Sequence, residues 1–131
     1  MLEHLRRRVI DLMEHADIVT LSTWGPAGIQ AQVLSCTTRG LWIYLLVPAT
    51  SDHLFNLENH PDVVVTTPEW QLAGHARALS PAEIPPDLPL PQGTDSQNYT
   101  VVAVRPSRMQ IGRPSGGGYT ETIDIVEDPG P

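Results

Sequence analysis

The sequence predicts a small, mainly β protein, an antiparallel barrel closed on itself with two short helices, and three observations carry that expectation. The chain has 131 residues, the size of one average domain and too short for two independent cores. After Asp17 it breaks into about seven short runs rich in β-branched and apolar residues, separated by turns that contain glycine or proline. Only two stretches, one at the start and one after Thr50, carry helical signals. Closing such strands into a barrel removes the unpaired edges that an open sheet would leave.

Leu2, Leu5, Val9, Leu12 and Ala16 recur at spacings of three and four, with Arg6, Arg7, Asp11 and Glu14 between them, which predicts an amphipathic helix with one buried stripe. From Ile18 to Trp24 the chain turns β-branched and apolar. Gly25-Pro26-Ala27-Gly28 then supplies a turn, and Ile29 to Thr37 the returning strand of a hairpin. Arg39-Gly40 leads into Leu41 to Val47, a run apolar on both faces, as expected of a central strand or one that also lines an interface. Thr50 or Ser51 is placed to cap a short helix through Phe55, Leu57 and His60, which stops before Pro61 because proline disfavours helical geometry in the residue before it. Val63 to Thr67 and Trp70 to Leu79 form a further pair across Pro68-Glu69, with Gly74 marking a bulge or a close backbone approach. Five prolines between Pro81 and Pro91 exclude a regular helix or a central strand, so residues 81–98 read as a stiff loop inserted in a single domain spanning 1–126. Thr100 to Arg105, a break at Pro106, a short run Met109 to Ile111, a turn at Gly116 to Gly118 and a last run Tyr119 to Ile125 complete the strands; 127–131 read as a frayed tail.

All eight basic residues are arginine, which excludes Schiff-base chemistry and a P-loop lysine. A formal net charge of −7 and a pI near 5.0 argue against a nucleic-acid surface. No apolar run approaches the roughly 18 residues that span a bilayer, and Met1 to Arg8 is not followed by the apolar stretch and cleavage site of a secretory signal. A cytoplasmic protein with neither membrane nor nucleic-acid partners is therefore expected. Cys36 is the only thiol and reads as a small buried hydrophobe, since it can form no internal disulfide, zinc ribbon or CxxC pair. His53 and His60 lie seven apart on the short helix, but no thiol or carboxylate at ligand spacing completes a tetrahedral zinc set, and no metal is expected. Ser22, Ser35 and Ser51 lie in no GxSxG elbow, which leaves nucleophilic catalysis without a motif.

One pattern is more specific. Thr50-Ser51-Asp52-His53-Leu54-Phe55-Asn56-Leu57-Glu58-Asn59-His60-Pro61-Asp62-Val63-Val64-Val65 opens a short helix on Thr/Ser, places Leu and Asn before a proline at its end, and runs on into a β-branched strand. It joins the leading helix, Ile18-Val19-Thr20-Leu21-Ser22-Thr23 before a Gly-containing turn, Leu41-Trp42-Ile43-Tyr44-Leu45, the Gly-x-Ala centre of Leu72 to Ala78, and Val104-Arg105-Pro106-Ser107-Arg108. In this order the elements resemble the pyridoxamine 5′-phosphate oxidase-like FMN-binding split-barrel family. The resemblance implies a split barrel and a homodimer, with two cofactor clefts built from both chains and FMN as the cofactor. Trp42, Tyr44, Leu46 and Trp70 then become candidates for interface or cleft, or for ordinary core. Gln32, Tyr44, Leu45, Thr50, Ser51, His53 and Gln71 become the candidate cofactor-binding residues, with Gln71 reaching the flavin ring across the dimer.

The same resemblance marks what this chain lacks. The family holds the flavin phosphate with an arginine on the second strand and a basic pair at the start of the short helix; the matching positions here are Gln32, Asp52 and His53, with Ser51 retained. Losing two charge-assisted hydrogen bonds costs about 3–6 kcal/mol, on the order of a hundredfold to ten-thousandfold in affinity. The helix N-terminus, Gln32, Thr50 and Ser51 can donate to a phosphate, and His53 adds charge when protonated; Asp52 opposes it unless it serves the helix dipole alone. Arg77, Arg105, Arg108 and Arg113 are the remaining places to meet an acidic group, though such a residue is more often a solvated strand-edge charge than a ligand. Three functions stay open: an FMN-dependent oxidoreductase, in which the isoalloxazine does the chemistry; a dimer that has lost the cofactor; and a deazaflavin-dependent reductase. Pyridoxamine phosphate oxidase activity itself is not expected, because the basic residues for a second phosphate and the family's closing segment are missing.

Overall fold

The alternating runs become seven strands and the two amphipathic stretches become helices. The computed structural model describes residues 1–91, 97–112 and 117–126. Its elements are α1 (Glu3–Glu14), β1 (Ile18–Gly25), β2 (Gly28–Arg39), β3 (Trp42–Pro48), α2 (Asp52–Asn59), β4 (Asp62–Thr66), β5 (Trp70–Ala78), β6 (Tyr99–Gly112) and β7 (Tyr119–Asp124). The strand order is β3-β2-β1-β4-β5-β6-β7, every pairing is antiparallel, and β3 also pairs with the first half of β6. That last pairing closes β1 to β6 into a six-stranded antiparallel barrel and leaves β7 as an extra strand on the second half of β6. β3 meets β2 only from Cys36 to Arg39, so Gly28 to Ser35 have a strand on one side alone. The barrel is split there, and α2 packs against β1 and β5, with Asn56 lying over Gly25 at the end of β1.

Inward-facing residues of alternate positions make the core: Val19 and Leu21, Ile43 and Leu45, Val63 and Val65, Leu72, Val102, Val104 and Met109 share one buried cluster. Each such side chain contributes roughly 1.5–3 kcal/mol when fully withdrawn from water. α1 plugs the barrel with Val9, Ile10 and Met13, and Trp70 Nε1 donates to the Leu12 carbonyl of that helix at 3.3 Å. The buried stripe is rotated from the one the spacing predicts. Leu2 is exposed, Leu5, Leu12 and Ala16 are only partly buried, and Ile10 and Met13 take the central contacts.

One further expectation is corrected. β6 does not break at Pro106; it runs through, because a register shift between Ala73 and Gly74 of β5 places Pro106 opposite Gly74 and Arg108 opposite Ala73, leaving Ser107 as the extra residue. A proline, which has no N–H to offer, is tolerated at such a bulge. Gly74 is where the two backbones approach, since a Cβ there would lie 2.6 Å from the Arg105 carbonyl oxygen.

β3 is the central strand that its apolar run gave as one of two alternatives, paired with β2 on one side and β6 on the other. Tyr44 and Leu46 point away from the barrel and join Leu79, Leu88, Val101 and Ala103 in a second buried cluster, with Ile84 and Leu90 packed against it. Ile84, Leu88 and Leu90 belong to the proline-rich segment, which therefore folds back as a strap over the β3–β6 face. Glu83 accepts from the Ser80 backbone N–H and pairs with Arg77, while Asp87 pairs with Arg39. β3 is apolar on both faces because the chain covers its own outer face, so Tyr44 and Leu46 offer no free interface surface, and Trp70 lies in the barrel core. Residues 92–96 of the loop, Arg113 with the start of the Gly-rich turn, and the tail 127–131 lie outside the described residues.

Candidate functional site

β1 sends Val19, Leu21 and Thr23 inward in alternation, and the third of these is a hydroxyl with no exposed surface. Across the hairpin, Gln32 stands opposite Leu21 and Gln30 opposite Thr23. α2 arrives over this end of the hairpin. Its cap is Ser51, whose Oγ accepts from the His53 N–H at 3.1 Å, as the sequence predicts. His53 and Asn56, three residues apart and so on one helix face, both turn toward Thr23.

These groups form a closed network. Asn56 Nδ2 donates to Thr23 Oγ1 at 3.0 Å and to Gln30 Oε1 at 3.1 Å. Thr23 Oγ1 and His53 Nδ1 lie 2.5 Å apart, and Gln30 Nε2 donates to Asp52 Oδ2 at 3.3 Å. Helix, first strand and second strand are thus tied in a ring of side chains. His53 and Asn56 are almost wholly buried, and no buried side-chain nitrogen or oxygen among the described residues lacks a partner. Burial pushes the His53 pKa below its usual 6.5, a shift that the nearby Asp52 carboxylate offsets only in part. The imidazole is therefore neutral near neutral pH.

The residues singled out from the sequence separate into three places. Thr50, Ser51 and His53 meet at the start of α2, and Gln32 lies two residues along β2 from Gln30, on the same side of the strand. Tyr44 sits under the strap and Leu45 inside the barrel. Gln71 lies on the outer face of the sheet, where its Oε1 accepts from the Tyr119 hydroxyl at 2.9 Å. Thr23, Gln30 and Asn56 were missed, although the parity of β1 puts Thr23 inside and the i, i+3 spacing puts Asn56 beside His53.

A phosphate dianion does not fit the start of α2. The Gln30 amide is oriented away from any such ligand by Asn56 on its oxygen and Asp52 on its nitrogen, His53 is turned inward and neutral, and Asp52 is an exposed anion at the helix start. Five arginines are engaged in ion pairs elsewhere: Arg7, Arg8, Arg39, Arg77 and Arg108.

Beside this corner lies an open sheet face. Ile18, Thr20, Ser22 and Trp24 of β1 stand beside Ser35, Val33, Ala31 and Ile29 of β2, and the rows continue through Val64 and Thr66 to Ala73 and Gln71. Ile29 is 79% exposed, Val33 64% and Ile18 59%, a concentration of aliphatic surface that single scattered residues would not make. No helix among the described residues is long and apolar enough to cross a membrane.

No family model and no curated protein matches this chain. Solved structures do match in fold. A protein related to general stress protein 26, of the pyridoxinephosphate oxidase family, from Clostridium acetobutylicum superposes with a TM-score of 0.71 at 17% identity, over 95% of this chain and 97% of that one. General stress protein 26 from Bacillus anthracis gives 0.67 at 14%, covering 93% and 99%. A candidate pyridoxamine 5′-phosphate oxidase from Listeria innocua gives 0.63 at 18%, covering 82% and 97%. The split of the barrel beside β2 and these superpositions agree: the chain has the pyridoxamine 5′-phosphate oxidase-like split-barrel fold.

Proposed function

We propose that two copies of this barrel associate through the open face of β1 and β2 and enclose crevices that take a flavin by its ring, making the protein a homodimeric flavin-binding oxidoreductase without a cationic phosphate clamp. The observation that carries this reading is the aliphatic face itself, Ile18, Ile29 and Val33, on the same face as Gln71 and as Trp24, whose ring centroid lies 6.2 Å from that of His60 at the end of α2. A monomer would leave that face wet. When bound, a flavin supplies the redox chemistry, and this chain's part is to provide walls, orientation and exclusion of water. Gln71 and Tyr119 are the polar pair on the outer face that can meet ring heteroatoms.

The closed network at α2 favours a second reading, a dimer of the same architecture that works without a cofactor. Two measurements decide. Sedimentation equilibrium is expected to give a dimer, and Val33→Asp a folded monomer; a monomeric parent protein would refute the association. Freshly purified protein, or protein titrated with flavins, is expected to show the visible absorbance of bound flavin, and a colourless protein that takes up neither riboflavin nor FMN supports the cofactor-free dimer instead.

A further inference from the structure

Resting on the flavin reading above, we infer that the α2 end of the crevice is a specificity determinant against phosphorylated ligands: Asp52 at the rim, fixed by Gln30, selects the unphosphorylated flavin over the nucleotide. A helix N-terminus ordinarily welcomes an anion, because its N–H groups are unpaired and its end carries partial positive charge. Here the molecule answers that end with its own groups. Ser51 Oγ takes the His53 N–H, and the Asp52 carboxylate stands exposed in the first turn. Gln30 Nε2 donates to the carboxylate at 3.3 Å while Gln30 Oε1 is held by Asn56, which in turn is anchored on buried Thr23. The one basic side chain of the turn, His53, is drawn inside to Thr23 and cannot come out without leaving Thr23 and Asn56 to re-form their bonds.

The chemistry of the remaining groups fits an alcohol rather than a phosphate. Thr50 and Ser51 present hydroxyls and Gln32 an amide, all able to donate and accept. The hydroxyl terminus of a ribityl chain donates to a carboxylate such as Asp52 and accepts from those neighbours. A phosphate monoester at the same place has no proton to give and meets Asp52 as like charge.

The test is flavin-fluorescence quenching of the purified protein by titration with riboflavin and with FMN, at low and high salt. Riboflavin is expected to bind at least about tenfold more tightly than FMN, with the gap narrowing at high salt because only the FMN term is coulombic. Asp52→Asn, which keeps an acceptor for the ribityl hydroxyl, is expected to shrink the gap chiefly by tightening FMN, and Asp52→Lys, which removes that acceptor and adds a cation, to weaken riboflavin, tighten FMN and so reverse the order; a merely structural role for Asp52 would weaken both ligands alike. FMN binding as tight as riboflavin, or a preference unmoved by Asp52→Lys, overturns this inference and leaves the flavin reading standing. Failure of the parent protein to bind either ligand overturns both.

Discussion

Gly25→Ala tests how rigidly α2 is seated. Gly25 ends β1, and a methyl group placed on it would lie 1.9 Å from Asn56 Oδ1 and 2.7 Å from its Cγ, so Asn56 must move. It has nowhere to go, being 4% exposed and bonded to both Thr23 and Gln30. Displacing it loses two hydrogen bonds worth about 0.5–1.5 kcal/mol each and adds about 1–3 kcal/mol of overpacking strain, roughly 2–6 kcal/mol together. For a chain of this length, thermal unfolding followed by circular dichroism is expected to show a drop on the order of 10 °C in Tm. The decisive comparison is a double-mutant cycle. Asn56→Ala alone costs about 1–3 kcal/mol, since it leaves the Gln30 carbonyl without its donor, but in that background the added methyl has room, and Gly25→Ala is expected to cost less than about 1 kcal/mol. Equal costs in both backgrounds would refute the packing argument.

Other expectations follow from the same geometry. Leu88→Ala is expected to lower stability by about 2–3 kcal/mol and to speed proteolytic cleavage within residues 81–91, because Leu88 holds the strap over Tyr44 and Val101; cleavage at the parent rate would show the strap is held by its ion pairs alone. His53 binds its proton less readily folded than unfolded, so stability is full above about pH 6.5 and declines as the pH falls from there toward the depressed folded value. Urea unfolding of His53→Gln is expected to lose that decline, and an unchanged pH profile would count against the buried neutral imidazole. Burial, with Asp17 adding to it, pushes the Cys36 thiol up to about 11, so alkylation by iodoacetamide near neutral pH is expected to be orders of magnitude slower than for a free thiol and to climb only in strong alkali. Rapid labelling at pH 7 would contradict that placement.

What the sequence made legible was local. The two hairpin turns fall where glycines take positive φ, 95° at Gly28 and 58° at Gly40, and β1 before the first of them alternates between buried and half-buried residues, so there turn chemistry and strand parity agree. Ser51 was readable as one of two possible caps because capping depends on a single short side chain and the residues just after it. The strap was not legible: a proline-rich run announces only that it is neither helix nor central strand, and the face it covers is settled by Ile84, Leu88 and Leu90 meeting Tyr44 and Leu46 from far along the chain. Pro106 misled for a similar reason, since its tolerance depends on a register shift in the neighbouring strand. At the site, adjacency in sequence gave Thr50, Ser51 and His53, but the direction of the imidazole depends on a hydroxyl thirty residues earlier. Propensity does not contain that contact.

The strap has a bearing on how large an assembly this chain can build. A barrel with two aliphatic sheet surfaces, one on each flank, would be able to join neighbours on both sides and grow without limit, as head-to-tail contacts do. By laying residues 84–90 across the β3–β6 flank, the chain seals one of those surfaces from within its own covalent length. A single sticky flank, matched to its own twin about a two-fold axis, is used up when two molecules meet. On the proposed two-fold pairing, the proline-rich strap acts as a terminator of growth, and its removal is expected to turn a discrete pair into a filament or a precipitate.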